Sequence, residues 1–140
     1  MKRLLMLAVA GVLLAGAPAF TADAVHGRYS TGPGCHDAHV IKRIGKIFAH
    51  RMKHVYHSDL EIVAVNRIHQ RRYEPKTEWS RPVARRYCGA TAKLSDGRKR
   101  SVWFLIEERM GFASLGDNVE VCVSGFTRWK EYGGRCRALW

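Results

Sequence analysis

From residue 36 onward the apolar positions change rhythm partway along the chain. Val40, Ile41, Ile44, Ile47, Phe48, Met52, Val55 and Tyr56 recur at steps of three and four, which traces one face of a helix. Asp37 at its start and Lys53, His54 and His57 at its end suit the two poles of a helix dipole. Ser58-Asp59 interrupts the pattern. Residues 60–68, rich in Ile and Val, predict a first strand. Residues 70–81 are polar and basic with Pro75 and Pro82 at their margins, which predicts an exposed loop or an irregular strand end. Residues 83–94 alternate, with Ala84, Cys88, Ala90, Ala92 and Leu94 on one parity and Arg86 breaking it. Ser95-Asp96-Gly97-Arg98 predicts a tight hairpin turn, because Asp-Gly supplies its positive φ angles. Residues 99–110 form the return strand, with Val102, Phe104 and Ile106 facing one way and Trp103 and Leu105 the other. Residues 111–118 are a connection, and residues 119–123 a fourth strand. A glycine-punctuated tail with Phe126, Trp129, Tyr132 and Trp140 follows.

One amphipathic helix followed by four antiparallel strands predicts an α+β fold, the helix lying across the concave face of the sheet. The predicted core is Val40, Ile44, Phe48, Val55, Ile62, Cys88, Ala90, Val102, Phe104, Ile106, Val121 and Val123. Residues 35–140 make one domain, because a chain of 140 residues has no room for two.

The N-terminus follows a different logic. Two basic residues, Lys2 and Arg3, precede an apolar run over residues 4–14 that is too short to span about 30 Å of hydrocarbon as a helix. Ala17-Pro18-Ala19 follows. This pattern predicts a signal peptide over residues 1–19, with cleavage after Ala24 as the second candidate, and a loose arm over residues 20–34. No transmembrane segment is expected after cleavage, and the destination is read as periplasmic or secreted. Loss of Lys2 and Arg3 lowers the formal charge from +12 to +10. In an exported chain the four cysteines, Cys35, Cys88, Cys122 and Cys136, predict two disulfides with three possible pairings. Zinc needs close ligand pairs, which these spacings do not offer. The favoured pairing joins Cys122 to Cys136, closing the tail over the last strand. Cys35 then joins Cys88, clamping the helix start to the sheet.

The element order resembles the cystatin-like and NTF2-like architecture, although the glutamine-valine-glycine hairpin motif of the cystatin inhibitors is absent. Arg86-Tyr87-Cys88-Gly89-Ala90, Asp96-Gly97-Arg98, Val102-Trp103-Phe104-Leu105-Ile106-Glu107, Gly116-Asp117 and Val121-Cys122-Val123-Ser124-Gly125 are similar to small exported proteins of alphaproteobacteria. That resemblance spans residues 35–140 and implies no site residues.

No catalytic constellation emerges. Glu107 and Glu108 are neighbours on a strand and point to opposite faces, so they do not act together as acid and base. Cys35 beside His36 or His39 lacks an orienting third group, and an exported thiol oxidises. His50, His54 and His57 stand at i, i+4 and i+7 and make a weak metal candidate, with Lys46 and Lys53 repelling a cation. No cofactor is predicted. The basic residues form the stronger signal. Arg67, Arg71, Arg72, Arg85 and Arg86, with Lys76 and Arg81 nearby, flank the first two strands with Tyr73 and Trp79 among them. In the cytosol that mixture points to nucleic acid, and export excludes it. The expectation is a non-enzymatic module docking through those five arginines on an anionic envelope component or an acidic protein. The rivals are a periplasmic inhibitor of an acidic target and, on architecture alone, a small enzyme with a helix–sheet pocket.

Overall fold

The computed structural model describes residues 32–127 and 131–140. The leader expected at residues 1–19, most of the arm expected at 20–34, and Trp129 lie outside the described residues. Helix α1 spans Ala38–Arg51. Asp37 precedes it in an extended conformation, and its Oδ2 accepts a hydrogen bond from the Gly34 amide at 2.7 Å. The apolar stripe buries Val40, Ile44, Phe48 and, one turn on, Met52. After Arg51 the helix widens into a π-helical turn, Met52–Tyr56. It stops at His57, whose φ of 49° is left-handed.

Four strands follow: β1 (Ile62–Glu74), β2 (Arg85–Leu94), β3 (Lys99–Glu107) and β4 (Asn118–Val123). They form one antiparallel sheet in chain order. Short connections explain the topology, since antiparallel neighbours need only a hairpin between them. Gly97 takes φ +84° in the turn between β2 and β3. The helix covers the face that carries Cys88, Ala90, Ala92 and Leu94 of β2, Val102, Phe104 and Ile106 of β3, and Val119, Val121 and Val123 of β4. The fold is thus α+β, one helix on a four-stranded antiparallel sheet.

Both disulfides form as expected, Cys35–Cys88 and Cys122–Cys136. The first ties the helix start to the centre of the sheet. The second fastens the tail across the opposite face. There a 3₁₀ segment, Gly134–Leu139, seals a second apolar cluster of Tyr87, Leu105, Cys122, Cys136 and Leu139. The sheet is therefore covered on one side by the helix and over part of the other by the tail. No helix among the described residues is long and apolar enough to cross a membrane.

Several expectations are corrected. The first strand does not end near residue 68; it pairs with β2 through Glu74, inside the stretch expected to be a loop or an irregular strand end, and the second alternative describes its first part. The cause is three register shifts, between Ile62 and Ala64, Asn66 and His69, and Gln70 and Arg72. Bulges of this kind insert residues without a partner and break the two-residue alternation. β3 ends at Glu107 rather than at residue 110. Val55 and Ile62 are only half-buried, because they lie at the margins of the helix–sheet contact, while Met52 and Leu94 are fully enclosed.

Candidate functional site

The pairing register sorts the polar residues by face, because directly opposite residues point the same way. Ala92 pairs with Val65 on the core side, so Lys93 and Thr91 face outward, together with Lys99 and Ser101 opposite them on β3. One row further lie Gly89 and Trp103, then Tyr87 and Leu105, then Arg85 and Glu107. From β1 the outward row receives Asn66, His69, Arg72 and Glu74. The bulge before Arg72 adds Arg71, whose guanidinium lies 4.8 Å from the ring centre of Trp103. Trp103 in turn meets the C-terminal Trp140 with ring centres 5.9 Å apart.

The five arginines expected to form one patch divide. Arg67, Arg71, Arg72 and Arg85 are on the outer face, and Arg86 is on the other. Arg86 pairs with Ile106 and Tyr73 in the core-facing row. There it donates to the Pro33 carbonyl at 3.1 Å and to the Gln70 side chain, stacks on Tyr73 at 4.6 Å and faces Glu108 at 4.0 Å. These partners let an arginine interrupt an apolar parity. It braces the N-terminal segment and is not presented to a ligand. On the outer face Arg72 stacks on Tyr87 at 3.9 Å and pairs with Glu74 at 3.2 Å. Arg85 pairs with Glu107 at 3.0 Å, and that hydrogen bond raises its pKa above the ordinary value. Arg67 and Arg71 have no carboxylate partner among the described residues.

Arg67 sits in the second bulge with φ +50°, a left-handed conformation that an arginine seldom adopts. Two hydrogen bonds hold it there. Its guanidinium donates to Thr91 Oγ1 at 3.1 Å, and His69 Nδ1 donates to its carbonyl at 2.9 Å. Arg67, Asn66, Thr91, Lys93 and Lys99 line an open cleft of about 370 Å³. Lys93 and Lys99 are directly opposite each other in the ladder, an arrangement of like charges that destabilises a sheet when nothing lies between them. Gly89 closes the neighbouring row. A Cβ there meets His69 Nε2 and Trp103 Cζ3 at 2.8 Å, so only glycine leaves room for both rings.

The cleft thus gathers three cations, a hydroxyl and an amide, a donor set suited to phosphate, sulfate or carboxylate oxygens. Lys93, Lys99, Thr91 and Asn66 are missing from the five-arginine patch read in the sequence. The hairpin loop decides this pairing: Leu94 and Arg98 close a three-residue loop, Ser95-Asp96-Gly97, which puts Lys93 opposite Lys99, whereas the two-residue Asp-Gly turn that the sequence suggests would put it opposite Arg100.

The histidines do not assemble as a trio. His50 and His54 stack with ring centres 4.2 Å apart. The π turn changes the angular step beyond Met52, and His57 is left-handed at its end. Among the described residues no group of three or more His, Cys, Asp or Glu side chains is placed to hold a metal ion. Glu107 and Glu108 go to opposite faces, bonded to Arg85 and placed beside Arg86 respectively. No protein-family model matches this chain, and no curated protein or solved structure matches it either.

Proposed function

We propose that this chain is a non-enzymatic exported module that docks on an anionic envelope component and holds an anionic group of it in the cleft between Arg67, Lys93 and Lys99. The observation that carries the reading is the facing pair Lys93 and Lys99 beside an arginine held in a left-handed conformation. An anion between these groups relieves their mutual repulsion and meets donors that are already in place. Arg71, stacked on Trp103, extends the cationic surface toward the centre of the sheet. The formal charge, +10 once Lys2 and Arg3 are lost with the leader, supplies long-range attraction, and two disulfides fit an oxidising compartment.

The test uses inorganic tripolyphosphate as the probe, titrated calorimetrically at low and physiological salt. Lys93→Glu/Lys99→Glu should weaken binding by at least about tenfold, equivalent to about 1.4 kcal/mol. Lys42→Glu/Lys46→Glu on the exposed helix face changes net charge equally and should cost less than about threefold. Equal losses would reduce the attraction to net charge alone and overturn the cleft.

A further inference from the structure

A second surface lies at the other end of the sheet and is independent of the cleft. Residues 75–84 join β1 to β2, and residues 108–117 join β3 to β4. In an antiparallel meander both connections leave the same sheet end, opposite the Asp-Gly turn. Exposed large apolar side chains concentrate there. Trp79 is 95% exposed in the first loop; Phe112 is 94%, Leu115 78% and Met110 49% exposed in the second.

Neither loop is loose. Thr77 and Arg81 bridge each other, with the Thr77 amide donating to the Arg81 carbonyl at 2.8 Å. Thr77 Oγ1 accepts from the Arg81 amide at 2.9 Å, so Trp79 is held at the tip of a braced turn. In the second loop Gly111 donates to the Gly116 carbonyl and Leu115 to the Phe112 carbonyl, both at 3.0 Å. Asp117 Oδ1 accepts from the Arg109 amide at 2.9 Å. A Cβ at Gly111 would come within 2.0 Å of the Leu115 carbonyl oxygen, so the tight neck of this loop requires glycine. Both loops keep apolar side chains in water while these hydrogen bonds brace their backbones.

We infer that this end of the sheet inserts into the interfacial layer of an anionic lipid bilayer, with Trp79, Phe112 and Leu115 as the inserted side chains. The two tips are about two strand spacings, or about 10 Å, apart. Each tip offers only one or two large apolar side chains, whereas a stable protein contact needs about 800 Å² of complementary surface on each partner. A bilayer interface accepts protrusions without a matching shape, and tryptophan prefers that layer. Lys76, Arg81 and Arg109 flank the tips and are matched in number by Glu78, Glu108 and Asp117, of which Glu108 faces Arg86 and Asp117 accepts from the Arg109 amide. The neighbouring carboxylates Glu74 and Glu107 are ion-paired within the sheet. The loops themselves are formally neutral, so the preference for an anionic leaflet comes from the +10 charge that the chain carries once Lys2 and Arg3 are removed with the leader.

The experiment is co-sedimentation with phosphatidylcholine vesicles, with and without phosphatidylglycerol. The protein should bind the anionic vesicles and release as salt rises. Trp79→Ser/Phe112→Ser/Leu115→Ser should lower partitioning at least about tenfold, while Val63→Ser, at an exposed apolar position on β1, should leave it unchanged. The triple variant should keep the far-ultraviolet circular dichroism and the tripolyphosphate affinity of the parent. Absence of binding to anionic vesicles at low salt, or equal binding by parent and triple variant, overturns the inference. So does self-association of the parent that the triple variant abolishes while neither binds vesicles. Tripolyphosphate binding without vesicle binding defeats the loops and spares the cleft; vesicle binding without tripolyphosphate binding does the reverse.

Discussion

Lys99→Gln should make the protein more stable and a poorer binder at the same time. Directly opposite residues in an antiparallel pair hold their Cβ atoms about 5 Å apart, and the ammonium groups of Lys93 and Lys99 can splay to about 7 Å. At that separation two unit charges in water repel by about 0.6 kcal/mol. Arg67 lines the same cleft and contributes a comparable repulsion, so neutralising Lys99 relieves about 1 kcal/mol at low ionic strength. For a domain of this size that corresponds to a rise of about 4 °C in Tm. At physiological salt, where the Debye length is about 8 Å, the gain should fall below about half. Thermal unfolding followed by circular dichroism at low and high salt measures the difference, with tripolyphosphate titration alongside. Lys93→Gln should behave alike, and Lys46→Gln on the helix should not. A Lys99→Gln protein less stable than the parent at low salt, or one whose gain ignores salt, would show that the two lysines do not repel and that the cleft is not primed for an anion.

Three further outcomes are expected. Phe104→Ala should cost about 3–5 kcal/mol in chemical denaturation, because Phe104 is fully enclosed between helix and sheet; a loss below about 1 kcal/mol would mean the β3 faces are reversed. Cys122→Ser/Cys136→Ser opens a link spanning 14 residues and should cost about 3 kcal/mol, with proteolysis of the tail as the readout. Glu120 faces Leu105 on the outer side of β4, where burial chiefly, and Glu107 secondarily, raise its pKa above the ordinary 4.5. The folded state then holds the proton more tightly than the unfolded chain. Its penalty is therefore absent below the ordinary value and grows as pH rises through the folded one. Glu120→Gln should accordingly stabilise at pH 7, and the gain should vanish as pH falls below about 4.5.

Much of the architecture was legible because its signals are local. The Asp-Gly dipeptide located the β2–β3 hairpin, though not its three-residue loop, and strict alternation through Val102, Phe104 and Ile106 fixed the buried face of β3. Two disulfides were legible from the four cysteines of an exported chain, and the pairing favoured among three is the one that forms. β1 was legible only to residue 68 because each bulge resets the parity, so a 13-residue strand reads as a short one followed by polar loop. The same bulges decided the site. They turn Arg71 and Arg72 to one side together and place Arg67 over Thr91, which no alternation rule anticipates. Arg86 was misread for the converse reason. A charged residue on an apolar parity looks like a defect or a ligand group until its partners, Gln70, Tyr73 and the Pro33 carbonyl, arrive from elsewhere in the chain.

The bulges of β1 also govern how the molecule behaves in a crowd of its own copies. β1 and β4 are the two edges of an open sheet, and an open edge is a template on which another strand can add. A flat 13-residue edge would be a long one. Three irregularities and a left-handed Arg67 break β1 into segments too short and too twisted to accept a straight partner. The opposite edge is protected by different means. β4 has only six residues, and Arg51 from the helix donates to the Val121 carbonyl at 3.3 Å, occupying an acceptor that an incoming strand would need. Kinks on one edge and a helix-borne guanidinium on the other thus guard against fibrillar stacking, and the kinks on β1 also position Arg67 in the cleft.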